Sequence, residues 1–291
     1  DWVTTPQNTP IVLGLNDFGQ FTDVDAGDKL QKIQITTLAT NGVLQYYNGS
    51  SWVAVTALQE VTATDIVAGN LRFAPDTNEN GSPYATLTFK VSDGTAWSAS
   101  AYTVTYNVTA VNQPPVVNDD NLPVSGVYAA FAVESGCHVT GTDQAGATLT
   151  NAGSNQSGNV ITNDTDVDAG TTLRVTQASS AAGNDVKTVA SGSTFTSNYV
   201  TVNGLYGSLR VGADGSYIYL PDNTNSKVQA LRPADVLTET FSYTVSDGSG
   251  GTATASLTAV IKGSNDAPDA INDYDTVQEL ALSGGNYGTA T

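Results

Sequence analysis

One six-residue phrase, Thr-Asp-Val-Asp-Ala-Gly, occurs twice in this chain, at residues 22–27 and again at residues 165–170. A second phrase, Val-Ser-Asp-Gly, occurs at residues 91–94 and 245–248, so the two phrases come in the same order both times. Self-similarity of this kind is typical of tandem repeats, in which each repeat forms one structural unit. The chain is therefore predicted to be an array of similar units.

The spacing of the phrases predicts where the units meet. The offset of 154 residues that carries Val91 onto Val245 also carries Pro114 onto Pro268. Proline removes a ladder donor and stiffens the backbone, which suits a short linker at a strand exit. A segment at the end is either a linker with the first strand of a third repeat or a strand that packs on the second domain. The predicted divisions are a first domain over 1–113, a second domain over 114–266 and this last segment over 267–291.

Short runs of alternating apolar and polar residues, separated by turn residues, predict β-strands along the whole chain. Residues 43–47 and 51–55 flank Asn-Gly-Ser and predict a hairpin. Helical turns are predicted only at residues 63–68 and 227–231. Many short strands at regular spacing indicate an all-β chain of β-sandwich domains joined end to end.

Acidic residues far outnumber basic ones. The formal net charge of −18 argues against nucleic acid and against anionic membrane surfaces as partners. Aspartate supplies 23 of the 28 acidic residues, whereas lysine and arginine total 10. Turns and metal-binding loops favour aspartate, which has the shorter of the two acidic side chains. Most of these carboxylates lack a cationic partner, so they either repel one another or share a bound cation.

The repeated Asp-x-Asp loop suits calcium, which takes six to eight oxygen ligands in irregular geometry. Two carboxylates at alternate positions can both turn inward around a bend, and the glycine that follows permits a sharp exit. Counting strands through a sandwich places this loop, the Val-Ser-Asp-Gly loop and the linker at one pole of the second domain. The ligands predicted for this first junction are Asp166, Asp168, Asp247, Asn112, Asp119 and Asp120.

The same reasoning predicts two further sites. The second junction would use Asn265, Asp266, Asp273 and Glu134, and the N-terminal pole would hold Asp23, Asp25, Asp28 and Asp93. Gln113 stands in the first linker where the second linker has an aspartate, so the first junction is expected to bind calcium more weakly or to need another ligand. An alternative stays open in which the Asp-x-Asp phrases are turns only, with Glu134 a solvated residue near a strand end.

Four stretches, at residues 158–170, 207–217, 241–251 and 263–268, resemble a VCBS repeat, and the resemblance covers nearly all of residues 115–275. The first unit resembles the related bacterial cadherin-like domains through residues 21–28 and 89–94. The resemblance implies tandem immunoglobulin/cadherin-like β-sandwich domains. It further implies extender modules of repeats-in-toxin adhesins, exported by type I secretion and used in biofilm attachment, with calcium rigidifying the domain junctions.

The expected function is thus that of a calcium-stiffened extender segment of a large extracellular bacterial adhesin at the cell surface. Its expected partners are the neighbouring repeats of the same chain, with a host or biofilm glycan or protein bound through adjacent domains. The segment is expected to be a monomer cut from something longer. No apolar run approaches the roughly 18 residues of a membrane helix, so no membrane insertion is expected.

A ligand-binding module is the alternative to an extender. Tyr46, Tyr47, Trp52 and Trp97 could stack on sugar faces, which predicts a calcium-dependent carbohydrate- or peptide-binding module of the same adhesin. The competing interpretation is that these rings pack across the strands of a hairpin.

An enzyme is not expected. Adjacent residues of a strand point to opposite faces, so the lone Cys137 and the lone His138 do not make a catalytic dyad. The role of Cys137 stays open. A glycosidase would need two carboxylates placed in a cleft, whereas the aspartates here fall in repeated turns.

Overall fold

The structure is a computed structural model that describes residues 1–25, 27–135, 153–181 and 185–266. In this part of the chain the regular elements are nearly all strands, and the strands form two pairs of sheets, one pair in each half of the chain. No described helix is long and apolar enough to cross a membrane.

The first pair of sheets uses strands from residues 2 to 109. They are β1 (Trp2–Pro6), β2 (Ile11–Val12), β3 (Lys32–Thr37), β4 (Val43–Tyr47), β5 (Trp52–Ala54), β6 (Glu60–Thr62), β7 (Leu71–Ala74), β8 (Gly81–Ser92) and β9 (Tyr102–Thr109). One sheet has the order β1-β9-β8-β3-β6 and the other the order β2-β7-β4-β5. The alternation of the sequence sends Leu87, Phe89, Val104 and Tyr106 into the space between the sheets, where all four are fully buried.

The predicted hairpin and the first predicted helical turn are confirmed. β4 and β5 pair antiparallel, with Tyr47 opposite Trp52. The helical turn α1 spans Ala63–Val67, and the Thr62 hydroxyl caps it by accepting the N–H of Asp65 at 3.0 Å. A 3₁₀ turn at Leu15–Phe18, which the sequence did not predict, brings Phe18 edge-on to Phe89 at 5.1 Å between ring centroids.

The second pair of sheets uses strands from residues 132 to 262. They are β10 (Ala132–Val133), β11 (Gln156–Asn159), β12 (Arg174–Ser180), β13 (Val186–Thr188), β14 (Val200–Asn203), β15 (Gly207–Val211), β16 (Ser216–Pro221), β17 (Val236–Ser246) and β18 (Thr252–Lys262). Their sheets have the orders β10-β18-β17-β12-β13 and β11-β16-β15-β14. The helical turn α2 spans Ser226–Gln229, slightly earlier than predicted.

The two halves share one architecture. The first strand of each half runs parallel to its last strand, as β1 does beside β9 and β10 beside β18. Each half also has its own apolar core, one around Phe73 and Phe89 and the other around Tyr219 and Phe241. The predicted fold class, an all-β chain of tandem β-sandwiches, is confirmed. The two halves are called the first and the second sandwich below.

Candidate metal centre

The Asp166 loop connects β11 to β12 in the second sandwich. The Asp166 carboxylate accepts the N–H of Asp168 at 2.8 Å, a turn that carries both side chains to the inner side of the loop. Gly170 closes the loop with φ of 82°, a conformation that glycine adopts without steric strain. The spacing of the repeated phrase therefore does what the sequence predicted: it bends the chain around two carboxylates.

The Asp247 loop connects β17 to β18 and lies at the same end of the sandwich. Asp247 is only 5% exposed, and its Oδ1 accepts the N–H groups of Ser249 at 2.7 Å and of Gly251 at 3.0 Å. The amide of Asn112, followed by these backbone N–H groups, holds the pKa of the Asp247 carboxyl below its usual range. The side chain is consequently a fixed anion at neutral pH.

The linker between the sandwiches brings the two loops together. Asn112 donates its Nδ2–H to Asp247 Oδ2 at 2.7 Å, and the backbone N–H of Gln113 donates to Asp168 Oδ2 at 2.7 Å. Three segments far apart in sequence thus meet at one pole, and the structure brings together four predicted site residues there. We call Asn112, Asp166, Asp168 and Asp247 the first-junction cluster.

Hydrogen bonds do not use every carboxylate oxygen of the first-junction cluster. Asp166 Oδ2 is buried and has no hydrogen-bond partner among the described residues. The ion pairs found in the described part of the chain are Lys32 with Glu60 and Lys187 with Asp185, and neither touches the cluster. A buried carboxylate oxygen without a partner is costly without a cation. Among the described residues, however, three carboxylates bring their oxygens within 4.8 Å of one another only at Asp23, Asp25 and Asp28, so the first-junction carboxylates are linked by hydrogen bonds and not closed around one point. The donor set, all oxygen, is that of a hard cation such as calcium.

Asp119 and Asp120, also predicted for this site, lie elsewhere. Residue 120 forms a parallel bridge to Leu257, so the chain here follows β18 away from the Asp247 loop. Asp119 accepts the N–H and the hydroxyl of Ser256 at 2.8 and 2.7 Å. Ser256 is five residues beyond Gly251, roughly 17 Å along an extended strand. The prediction that Asp119 and Asp120 converge with Asp247 is therefore wrong, since their described contacts lie away from the Asp247 loop.

Asp120 instead belongs to a second group of carboxylates, with Asp164. The Tyr243 hydroxyl donates to Asp120 Oδ2 at 2.5 Å, and the backbone N–H of Asn118 donates to Asp164 Oδ1 at 2.9 Å. Asp164 Oδ2 is buried and has no hydrogen-bond partner among the described residues. Burial raises the pKa of both carboxyls, that of Asp120 to about 6, and the Asp164 charge adds to the effect on Asp120.

This pKa gives a prediction that can be tested with calcium removed by a chelator. Asp120→Asn is expected to be more stable than the wild type at pH 7, by about 1–2 kcal/mol after allowance for partial exposure, with the difference vanishing towards pH 4. The raised pKa means that the folded state holds the proton more tightly, so the carboxyl's contribution to stability falls as pH rises from about 4 to about 6. Urea unfolding across this pH range measures the difference.

The control is Asp222→Asn, which should change stability in the opposite sense. Hydrogen bonds from Thr224 hold the pKa of the Asp222 carboxyl below its usual range, so its stabilising contribution is present at neutral pH and is lost as pH falls through the folded pKa. If the stability difference between Asp120→Asn and the wild type did not change with pH, the assignment of a raised pKa to Asp120 would be contradicted.

At the N-terminal pole, the structure brings three of the four predicted residues together. Carboxylate oxygens of Asp23, Asp25 and Asp28 all lie within 4.8 Å of one another, and the three side chains are exposed. Asp93 is not part of this group. Its Oδ1 accepts the N–H groups of Thr95 and Ala96 at 2.6 and 2.7 Å, which lower the pKa of its carboxyl.

At the second junction, Glu134 is fully buried rather than a solvated strand end, so that alternative is wrong. It is buried because both carboxylate oxygens have partners: Oε1 accepts the N–H of Ser264 at 2.7 Å and Oε2 accepts an amide N–H of Gln229 at 3.0 Å. The side chain therefore reaches the segment that carries Asn265 and Asp266, as predicted. Asp273 lies outside the described residues.

The aromatic rings that favoured a carbohydrate site pack against their neighbours. The rings of Tyr47 and Trp52 lie 5.5 Å apart across the hairpin, and the Arg72 guanidinium lies 4.1 Å from the centre of the Trp52 ring. Lys32 lies over Trp97 at 5.0 Å. These contacts favour the packing interpretation. Cys137 and His138 lie outside the described residues.

The second sandwich resembles a known family. The family model of the bacterial cadherin-like domain matches residues 137–263. The match covers less than half of the chain, and it falls on the half whose phrases resemble a VCBS repeat rather than on the first half. No curated protein matches the chain.

Among solved structures, the chain is similar to human CDH23 EC21-23, with 14% identity and a TM-score of 0.34 over 90% of this chain and 67% of that one. For Drosophila N-cadherin EC1-4 the identity is 12% and the TM-score 0.26, over 90% and 47%. An endo-fucoidan hydrolase of glycoside hydrolase family 107 gives 15% and 0.23, over 90% and 28%. The chain spans about half or less of the length of the latter two. At these scores the similarities add nothing to the fold described above.

Proposed function

We propose that the chain is a calcium-stiffened extender segment of an extracellular bacterial adhesin, whose work is to hold successive β-sandwiches in line. The observation that carries the proposal is the docking of the linker on the Asp168 and Asp247 carboxylates. A loop that touched only its own sandwich would be a turn, whereas these loops contact the segment that joins two sandwiches.

Calcium suits the first-junction cluster because hydrogen bonds link three carboxylates and a side-chain amide at this pole, and one carboxylate oxygen is buried with no hydrogen-bond partner among the described residues. Asp166, Asp168 and Asp247 would supply most of the negative charge and Asn112 its amide oxygen. The ion would screen the mutual repulsion of the carboxylates and tie the linker to both loops. At the N-terminal pole, Asp23, Asp25 and Asp28 would form an exposed site of the same kind.

The resemblance of the second sandwich to a bacterial cadherin-like domain supports an extracellular, adhesive role. Extracellular calcium modules bind with dissociation constants of about 10⁻⁴ to 10⁻³ M. Sites of that affinity are filled outside a cell and empty inside it, so calcium would stabilise the folded sandwiches only after type I export. Adhesion to a surface or a biofilm would then fall to regions that the extender projects, and the chain itself would act as a monomer.

Removing calcium tests the proposal. Chelation is expected to lower the melting temperature, because a ligand bound only by the folded state stabilises it, by about 2.7 kcal/mol at a hundredfold excess over Kd. If the melting temperature does not respond to calcium, the Asp-x-Asp loops are turns and the proposal fails.

A matched pair of variants sharpens this test. Asp168→Asn removes a charge from the cluster but keeps an oxygen that can accept the N–H of Gln113, so it should reduce the calcium-dependent rise in melting temperature. Asp222→Asn makes the same change at an exposed turn between β16 and α2, where the carboxylate accepts Thr224. An equal calcium response in the two variants would contradict the assignment of the site.

A further inference from the structure

The ends at which the chain leaves the two sandwiches can be compared residue by residue. In the first sandwich, β1 ends beside Thr109, and the next residue, Gln7, donates its N–H to the Thr109 carbonyl at 2.8 Å. In the second, β10 ends beside Lys262, and the next residue, Glu134, donates its N–H to the Lys262 carbonyl at 3.0 Å. Gln7 and Glu134 are therefore equivalent positions.

The two side chains also hold the outgoing chain in the same way. Gln7 Oε1 accepts the N–H of Val111 at 3.0 Å, and Glu134 Oε1 accepts the N–H of Ser264 at 2.7 Å. Gln7 is 3% exposed and Glu134 is fully buried. One sandwich thus uses a neutral amide where the other uses a carboxylate.

The linkers repeat this difference. Asn112 Nδ2 lies 3.5 Å from the carbonyl oxygen of Gln113, and Asn265 Nδ2 lies 3.4 Å from the carbonyl oxygen of Asp266. Gln113 and Asp266 are therefore equivalent as well. At two positions around its exit end, the first sandwich presents an amide where the second presents a carboxylate.

The first linker supplies two hydrogen-bond donors to the second sandwich, one from the side-chain amide of Asn112 and one from the backbone of Gln113. Asn112 donates to Asp247 Oδ2 and the backbone of Gln113 donates to Asp168 Oδ2, each at 2.7 Å. The Gln113 side chain donates backwards, to Asn78 Oδ1 at 3.0 Å, in a loop of the first sandwich. A carboxylate only accepts hydrogen bonds, so donors facing Asp168 and Asp247 satisfy charge that would otherwise repel the linker.

We propose that the first junction is an amide clamp, closed before any cation binds by the side-chain amide of Asn112 on Asp247 and by the backbone N–H of Gln113 on Asp168. The inference rests on the proposed function and refines it: at the first junction calcium strengthens a contact that already exists.

The isosteric change Asn112→Asp tests the clamp, because it replaces the donor with an acceptor at 2.7 Å from Asp247 Oδ2. Spin labels at Ala57→Cys and Ser226→Cys, one exposed position in each sandwich, report the distance between the sandwiches in a Cys137→Ser background. The wild type is expected to give a narrow distance distribution with chelator and with calcium. Asn112→Asp is expected to lose the narrow distribution in chelator and to regain it with calcium.

Asn48→Asp is the matched control, since Asn48 Oδ1 only accepts, from the N–H groups of Ser50 and Ser51, and a carboxylate does the same. Its distance distribution should follow the wild type. A broad wild-type distribution in chelator, or a narrow one for Asn112→Asp in chelator, would overturn the clamp. The chelator measurements decide this whether or not calcium binds. A failure of the proposed function shows separately, as a wild-type melting temperature that calcium does not change.

Discussion

Glu239→Leu is expected to destabilise the second sandwich by roughly 2–4 kcal/mol, because it leaves one buried donor, the Tyr219 hydroxyl, and two part-buried N–H groups without an acceptor, and an unpaired buried donor costs about 1–3 kcal/mol. Glu239 stands on β17, is 8% exposed, and accepts the N–H of Leu205 at 2.6 Å, the N–H of Tyr206 at 3.3 Å and the hydroxyl of Tyr219. Burial raises the pKa of Tyr219, so its hydroxyl keeps the proton that it donates. A leucine accepts none of these three.

Calorimetry in chelator would show the effect as a fall in one melting transition, because each sandwich has its own core and should unfold in its own step. Glu239→Gln keeps one acceptor oxygen and should cost less. Glu60→Leu is the surface control: Glu60 pairs with Lys32 at 2.8 Å in the first sandwich, and such exposed pairs contribute at most about 1 kcal/mol. Equal losses for the two leucine variants would refute the structural role of Glu239.

Glu239 also illustrates what the sequence could not predict about the fold. The alternating pattern of β8, β9, β16 and β17 predicted their existence and their buried faces, because period-2 alternation is a local property. Nothing in that pattern indicates that a glutamate inside β17 should be buried. Its burial follows from a turn after β14 that passes close to it: a Cβ on Gly204 would lie 2.1 Å from Glu239 Oε2. A local alternation of apolar and polar residues does not reveal contacts between segments far apart in the chain.

The alignment of the two repeats at the linker likewise could not be predicted from the sequence alone. The sequence offset of 154 residues places Phe89 onto Tyr243, but Phe89 pairs with Tyr102 whereas Tyr243 pairs with Ala255. The connection from β17 to β18 is therefore one residue shorter than the connection from β8 to β9. Beyond it, equivalent residues of the two sandwiches align at an offset that is smaller by one. This shift aligns Asn112 with Asn265 and Gln113 with Asp266, and it separates the two prolines that had suggested the boundaries. A one-residue deletion in a turn leaves no trace in the repeated phrases on either side.

The candidate site was predictable where its residues belong to the repeated phrases. Asp166, Asp168 and Asp247 meet Asn112 or its neighbour because both loops end at the pole where the linker enters. The prediction for Asp119 and Asp120 was wrong because their segment runs along β18, which strand counting does not reveal. Asp164 was not predictable from the repeat, because the first repeat has Phe21 at that position and only the second repeat carries a carboxylate there.

Gly251→Ala is expected to open the first junction while the second sandwich stays folded. A Cβ at this position would lie 2.1 Å from Asp247 Oδ2, 2.8 Å from the Cα of Pro114 and 3.0 Å from the carbonyl oxygen of Gln113. The last two are backbone atoms of the linker, so the linker itself has to move. Overpacking of this kind typically costs about 1–3 kcal/mol, and here the least costly relief is to release the linker rather than to disturb the core.

Distances between spin labels on the two sandwiches should therefore broaden in Gly251→Ala with calcium as well as without it, and the calcium-dependent rise in melting temperature should shrink. Gly14→Ala is the matched control, because φ at Gly14 is −106° and its added Cβ would meet nothing closer than an Asp17 oxygen at 3.8 Å. Asn112→Asp breaks the junction through charge and calcium restores it, whereas Gly251→Ala breaks it through volume, which no cation can reverse. A Gly251→Ala protein that calcium restored to the wild-type distance would show that the linker does not dock where these contacts place it.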